Sequence, residues 1–198
     1  MNKNKVAITI PTFNERDNIL NIIKAIHAEI PTADILIVDD NSPDGTAKLV
    51  EEFIEQNIYV SLLKRKKKDG LGKAYFAGFK HLISEGYSQI VQMDADFSHQ
   101  PKYLKDLIAK VKNGADVAIG SRYVLGGGVE NWSLYRRIIS RGGSLYSRYI
   151  LGLSVNDVTG GFKCWNASFL DKVISANLKL SGFGFQIEMS YRCKLLMG

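Results

Sequence analysis

Ile35-Leu36-Ile37-Val38-Asp39-Asp40-Asn41-Ser42-Pro43-Asp44-Gly45-Thr46 decides the architecture. Four large aliphatic residues in a row, bounded by turn formers, read as a strand buried on both faces. Asn, Ser, Pro, Asp and Gly then reverse the chain, and Thr46 is placed to cap a helix carrying Val50, Phe53 and Ile54. That is one βα unit. Upstream, Val6 to Ile10 is a β-rich run ending at Pro11, and Ile19, Ile22, Ile23 and Ile26 recur at helical spacing. Downstream, Tyr59 to Leu63, Ile90 to Met93 and Val117 to Gly120 read as strands. Between them lie a helix from Leu71 to Glu85 and another that opens on Pro101 and buries Leu104, Leu107, Ile108 and Val111. Strands alternating with helices predict an α/β chain with a mostly parallel sheet covered on both faces.

In such sheets ligands bind beyond the carboxyl ends of the strands, and the polar clusters fall there. Thr12 to Glu15 follow the first strand, Asp39 and Asp40 the second, Asp94 and Asp96 the fourth, Ser121 and Arg122 the fifth. Asp94-Ala95-Asp96 places two carboxylates at positions i and i+2, on one side of an ending strand. That pair suits a hard divalent cation, Mg²⁺ or Mn²⁺, which would in turn hold a diphosphate. The other reading is a solvated loop with Asp96 capping the next turn. Asp39 and Asp40 repel each other as neighbours, and are placed to accept hydrogen bonds from a ribose hydroxyl or a base N–H. Pro11-Thr12-Phe13-Asn14-Glu15 stands where a dinucleotide-binding Gly-x-Gly-x-x-Gly would be, and no Gly-Lys-Ser/Thr is present. Both absences count strongly against a dehydrogenase or a P-loop NTPase.

The net charge is +6 over 198 residues, 45% of them hydrophobic and 23% charged, which favours an anionic partner. Nucleic acid would account for the charge but not for acid pairs at strand ends. Lys64-Arg65-Lys66-Lys67-Lys68 reads as a solvated loop. Gly70-Leu71-Gly72-Lys73-Ala74 is either an anion-binding helix start or a simple turn into the helix. From Leu134 to Ile150, Arg137, Arg141, Ser144 and Arg148 form one stripe, and Ile138, Ile139, Leu145, Tyr146, Tyr149 and Ile150 the opposite arc. A helix lying on a membrane shows this pattern, and so does an amphipathic helix on a core, which is the ordinary case. Cys164 and Cys193 have neither zinc-site nor disulfide spacing and read as reduced thiols. No stretch has the roughly 20 apolar residues of a membrane span, and the polar start reads as no signal peptide. The chain ends at Gly198 just after a helical pattern, as though cut short.

Together the segments resemble the polyprenol-phosphate (dolichyl-phosphate) mannosyltransferases of the family 2 inverting glycosyltransferases. They are Pro11–Glu15, Val38–Thr46, Gly70–Ala74, Met93–His99, Gly120–Tyr123, Gly127–Trp132, Ile139–Gly142, Asp157–Phe162 and Phe185–Met189. The resemblance implies the nucleotide-diphospho-sugar transferase (GT-A) fold, a Rossmann-like three-layer sandwich with a mixed, mostly parallel sheet, spanning 1–198 as one catalytic domain. It implies transfer of mannose from GDP-mannose to a polyprenyl phosphate. Pro11, Phe13, Glu15, Val38 and Asp40 would hold the nucleoside, with Phe13 where the family usually has Tyr. Asp94 and Asp96 would carry Mg²⁺ or Mn²⁺, Ala95 would lie against the donor, and Arg122 would meet its phosphate. Arg122, Arg137 and Arg141 would receive the acceptor phosphate; Asp96, Arg122 and Arg141 are the catalytic candidates. In the family a strand and a basic loop that close over the donor diphosphate follow the position that Gly198 matches. The implied setting is the cytoplasmic face of a membrane, held peripherally, with room for a membrane-anchoring partner protein and no role for nucleic acid. UDP-glucose as donor, or a non-catalytic binding module, are the alternatives.

Overall fold

The computed structural model describes residues 5–121, 142, 145, 149–153, 155, 157–175 and 184–197. Six strands form one sheet: β1 (Val6–Thr12), β2 (Asp34–Asp39), β3 (Val60–Lys64), β4 (Gln89–Gln92), β5 (Val117–Ile119) and β6 (Lys163–Asn166), in the order β3-β2-β1-β4-β6-β5. The first four pair in parallel; β6 runs antiparallel to both β4 and β5. The expected mixed, mostly parallel sheet is present. β6 itself is a finding, inserted between two strands that sequence order would have set side by side.

β1 continues through Pro11 and Thr12, two residues past the expected end. Proline is tolerated because Thr9 and Pro11 face the β4 side, where Thr9 O accepts from Met93 N at 3.2 Å and β4 has already ended. On the other side Pro11 pairs with Val38, and Asp40 N donates to Thr12 O at 3.0 Å.

Alternation along the strands sorts the core into two layers. Ile8, Ile10, Ile35, Ile37 and Val91 pack against α1 (Arg16–Glu29), α2 (Thr46–Ile54) and α4 (Leu104–Lys112), the last entered through a 3₁₀ turn at Pro101–Tyr103. Ala7, Leu36, Val38, Ile90 and Trp165 pack against α3 (Leu71–Ser84), α5 (Ala167–Ile174) and α6 (Gly184–Met197). The four isoleucines foreseen for α1 are its buried residues. Where α6 crosses α3, Gly72 leaves room for a ring: a Cβ there would lie 2.9 Å from Cβ and Cγ of Phe185. With Gly70 in the left-handed region (φ +92°), the glycines opening α3 serve the turn and the helix contact.

Three expectations change. The α2 cap is not Thr46: Gly45 holds the cap position at φ +87°, and the Asp44 carboxylate accepts Thr46 N at 2.9 Å and Thr46 Oγ1 at 2.6 Å. The other Asp44 oxygen accepts Arg16 N at 3.1 Å, so one aspartate ties together the starts of two helices. Second, of the apolar arc at 134–150, the described residues Leu145, Tyr149 and Ile150 are helical but exposed, and do not rest on the core. Third, the basic run is not wholly solvated, as shown below. Cys164 and Cys193 are buried free thiols, and burial raises them to about 12 and about 11 respectively. No helix among the described residues is long and apolar enough to cross a membrane.

Candidate active site at the carboxyl edge of the sheet

Strand order reverses between β1 and β4: β2 and β3 follow to one side of β1, and β4 lies on the other. The carboxyl ends of β1 and β4 therefore flank the crevice where such sheets take their ligands. Phe13, Glu15 and Asp94 stand at this edge.

Past Gln92 the chain stays alternating: Met93 and Ala95 are buried in the core, Asp94 is partly exposed and Asp96 exposed. The two carboxylates thus leave the same side of the chain, as expected, although β4 ends two residues before Asp94. Asp94 is gripped by two side chains. The hydroxyl of Tyr75, on α3, donates to Oδ1 at 2.5 Å. Its own N–H donates to Nδ1 of His99 at 3.1 Å, and that ring lies 3.8 Å from Oδ2. His99 is stacked on Phe162, with ring centroids 5.1 Å apart. Tyr75 is fully buried, and burial first, then the charge of Asp94, their hydrogen bond and the charge of Asp96, push its phenol well above the usual range. It remains a neutral donor throughout the working pH range.

Whether these residues suit a divalent cation can be asked of the cradle itself. A Cβ on Gly161 would sit 3.1 Å from His99 Cε1 and 3.3 Å from Asp94 Oδ2, so the residue facing this carboxylate oxygen must be glycine-sized. Among the described residues no group of three His, Cys, Asp or Glu is assembled for a metal. Two partly exposed or exposed carboxylates on one side of the chain match a cation that takes its remaining ligands from substrate phosphate and water. The residues fit.

At the end of β2 the adjacent acids divide their tasks. Asp39 is consumed by structure: it accepts Thr12 Oγ1 at 2.9 Å, Ser42 N at 2.9 Å and Ser42 Oγ at 2.6 Å. Asp40 instead receives Arg65 Nη1, and no other described group bonds its second oxygen. Lys68 lies over the Phe13 ring at 3.9 Å from its centroid. Two cations of the run read as solvent-facing are thus turned onto the nucleoside candidates, while Lys64 pairs with Glu51 at 2.6 Å. Glu15 sits before α1, its N–H donating to Thr46 Oγ1 at 3.1 Å and its carboxylate accepting from Asn18 at 3.1 Å. The Val38 and Ala95 side chains are buried in the core, which leaves only main-chain atoms for a ligand.

Beneath the edge, Lys163 on β6 is buried at 1% exposure opposite Gln92, its Nζ donating to Gln186 Oε1 at 2.7 Å. Burial lowers its ammonium to about 8, against the favourable charges of Cys193 and Asp157. Arg122, Arg137 and Arg141 lie outside the described residues. The chain reaches Arg122 from Gly120, whose N–H donates to Phe162 O at 2.8 Å beside His99. Sequence reasoning missed Tyr75, His99 as a support and Arg65; the last two stood inside segments already singled out.

Two carboxylates and the residues at the ends of β1 and β2 thus meet at one edge of an α/β sheet. Residues 7–174 match the family described as glycosyl transferase family 2, and the chain belongs to that family. Its curated relatives narrow the branch. The polyprenol monophosphomannose synthase of Mycolicibacterium smegmatis is 42% identical over 189 residues, covering 95% of this chain and 71% of that protein. The dolichol-phosphate mannosyltransferase of Pyrococcus furiosus is 37% identical over 194 residues, 96% of this chain and 53% of that protein. The expected kinship with polyprenol-phosphate mannosyltransferases holds. Among solved structures, glucosyl-3-phosphoglycerate synthase from Mycobacterium tuberculosis aligns over 94% of this chain and 64% of its own, with a TM-score of 0.68 and 16% identity. A mannosyltransferase from Pyrobaculum calidifontis in complex with GDP-Man and Mn²⁺ aligns over 86% and 46%, with a TM-score of 0.57 and 15% identity. The chain spans less than two thirds of both solved proteins, and at these identities they share its fold.

Proposed function

We propose that the chain transfers mannose from GDP-mannose to a polyprenyl phosphate, with inversion, in a reaction that requires Mg²⁺ or Mn²⁺. The observation that carries the reading is the Asp94–Asp96 pair, with Asp94 held by Tyr75 and His99 at the strand-order reversal, beside Phe13 and Asp40. Asp94 and Asp96 would hold the cation, whose contribution when bound is to neutralise the donor diphosphate as it leaves. Pro11, Phe13 and Glu15 after β1, and Val38 and Asp40 from β2, would hold the nucleoside, with Ala95 lining the donor through its main chain. Arg122, Arg137 and Arg141 are assigned to phosphate, with Asp96, Arg122 and Arg141 the catalytic set.

A phosphate monoester has a second pKa near 6 and is already largely ionised at neutral pH. Its oxygen attacks the anomeric carbon without a general base, so the residues' task is to bring two anions together in line. The net charge of +6 suits that task. A lipid-linked acceptor places the protein peripherally at a membrane, on its cytoplasmic face, with a membrane-anchoring partner compatible.

Turnover of radiolabelled GDP-mannose on a short polyprenyl phosphate, with and without Mn²⁺ and beside UDP-glucose, tests the whole reading. Mannolipid formed only with metal is expected. Transfer from UDP-glucose in preference moves the donor assignment, and equal transfer to a soluble sugar removes the lipid phosphate.

A further inference from the structure

We propose that the Tyr75 hydroxyl is a positioning group that presents Asp94 to the divalent cation through Oδ2 alone, and so biases the site against cations that favour bidentate carboxylates. The proposal rests on the metal reading above and concerns a residue outside the expected ligand set.

The argument begins with where the two oxygens point. Tyr75 is buried at 0% exposure on α3, between Phe79 and Phe185, with ring centroids 5.8 and 5.9 Å from its own. A phenol so enclosed cannot follow a carboxylate that rotates. Its hydroxyl donates to Oδ1 at 2.5 Å, which turns that oxygen toward the interior. Oδ2 lies on the other side, near His99 and at the face where Gly161 leaves space. The Asp94 side chain is 33% exposed, and of its two oxygens Oδ1 is the one already engaged by the phenol.

His99 completes the restraint. By accepting Asp94 N–H on Nδ1 it fixes the main chain from which the carboxylate springs, and stacking on Phe162 fixes the ring. Asp94 is then held in its side chain by Tyr75 from α3 and in its main chain by His99 from its own loop. Partners of this kind govern ligand orientation, and their loss commonly costs 10- to 100-fold in metal affinity.

The chemical consequence concerns cation choice. Mg²⁺ demands near-octahedral geometry and takes carboxylates through one oxygen, whereas Ca²⁺ accepts bidentate carboxylates in looser shells. A carboxylate whose second oxygen is engaged by a rigid donor favours the first mode, because the phenol already takes one of that oxygen's lone pairs and fixes the carboxylate plane. Freed from Tyr75, Asp94 offers both.

The test titrates Mn²⁺, Mg²⁺ and Ca²⁺ into the protein with saturating GDP, and in parallel UDP, following heat and the Mn²⁺ electron paramagnetic resonance spectrum. Three proteins are compared: the natural chain, Tyr75→Phe, and Phe79→Leu, which disturbs packing on the same helix and keeps the hydroxyl. Tyr75→Phe should bind Mn²⁺ about tenfold or more weakly, with the Mn²⁺ preference over Ca²⁺ narrowed at least tenfold and an altered Mn²⁺ spectrum. Phe79→Leu should lower the melting temperature and leave the preference unchanged. The proposal is overturned if folded Tyr75→Phe keeps the natural preference, or if Phe79→Leu narrows it equally, since packing would then be the cause. Metal-independent binding of both nucleotides by the natural chain would remove the metal reading itself, and the Tyr75 proposal with it.

Discussion

Replacing Lys163 with Met should abolish a rise in stability that the natural chain shows on the alkaline side of neutrality. Lys163 sits within β6, fully enclosed, with Gln186 Oε1 2.7 Å from its ammonium and the Trp165 ring centroid at 5.8 Å. Burial lowers its pKa from 10.5 to about 8. The unfolded chain therefore keeps this proton up to about pH 10.5, while the folded chain releases it near 8. Between those values the unfolded state binds more protons, so stability increases with pH. A fall from 10.5 to about 8 corresponds to about 3 kcal/mol across the full window. Roughly 1 kcal/mol of it is realised between pH 7 and 9.

The cysteines act in the opposite sense and set the upper limit of a clean measurement. Raised from 9.0 to about 11 and about 12, Cys193 and Cys164 keep protons that the unfolded chain loses. They make stability fall as pH climbs past about 9. The natural chain should therefore be most stable between about pH 8 and 9, and Lys163→Met, which retains both thiols, should lack the rising limb. The variant's stability at pH 7 is a separate matter, because removing a buried ammonium is favourable while orphaning Gln186 Oε1 costs about 1 to 3 kcal/mol. Urea unfolding at matched ionic strength in half-unit steps from pH 7 to 9 gives the slope directly. Parallel curves for the two proteins would refute the buried, weakened ammonium.

Three further substitutions test other joints of the argument. Asp96→Asn should leave the melting temperature within a few degrees, since the residue is exposed, and should remove the Mn²⁺ dependence of GDP binding by calorimetry; an unchanged dependence rejects Asp96 as a metal ligand. Gly72→Ala sets a Cβ 2.9 Å from Phe185, so overpacking of about 1 to 3 kcal/mol should outweigh the roughly 1 kcal/mol gained in helix propensity; a more stable variant by urea titration contradicts the close crossing of α3 and α6. Asp44→Ala should cost about 1 to 2 kcal/mol, as it uncaps α2 and frees Arg16 N. Burial pulls the Asp44 carboxyl upward, but bonds from Thr46 and Arg16 outweigh it and leave the pKa lowered. The natural chain's advantage over Asp44→Ala should therefore shrink as pH falls through and below 3.8, and an advantage unchanged with acid removes the carboxylate from the cap.

The five strands legible in the sequence are those whose apolar runs are bounded by turn formers. β6 was not legible because Lys163-Cys164-Trp165-Asn166 shows neither an apolar run nor a clean alternation. Its lysine is buried, and only the arrival of Gln186 from α6 makes that tolerable. The same limit applies at the site. Asp94 and Asp96 could be singled out because an apolar strand precedes them, a local signal. Tyr75 could not, because its partner lies 19 residues away and on another element. Thr46 reads as the cap because Asp, Ser, Thr and Asn share that chemistry, and Asp44 prevails by reaching two helix starts at once. The basic run misled for a related reason: charge density suggests solvent, but Asp40 and Phe13 offer partners that become neighbours only when the sheet forms.

Backbone strain marks the same edge independently of any charge. The non-glycine residues described in the left-handed region are Asn14, Asn41 and Phe97, at φ 62°, 60° and 59°. Each immediately follows a residue assigned to the donor or the metal: Phe13, Asp40 and Asp96. Asparagine enters this region readily; phenylalanine does so at a cost of about 1 kcal/mol or more. Such a conformation persists only where surrounding contacts over-determine it, and Phe97 packs against the core layer that holds Met93 and Ala95. The turn at Phe97 ends the alternation that places both carboxylates on one side, and Ser98 N then donates to Asp96 Oδ1 at 3.0 Å. Core packing on one side and a main-chain donor on the other thus fix Asp96 without any partner of the kind Tyr75 gives Asp94. Of the two carboxylates, Asp96 is accordingly held through the main chain of its own turn, and Asp94 through a buried hydroxyl from α3.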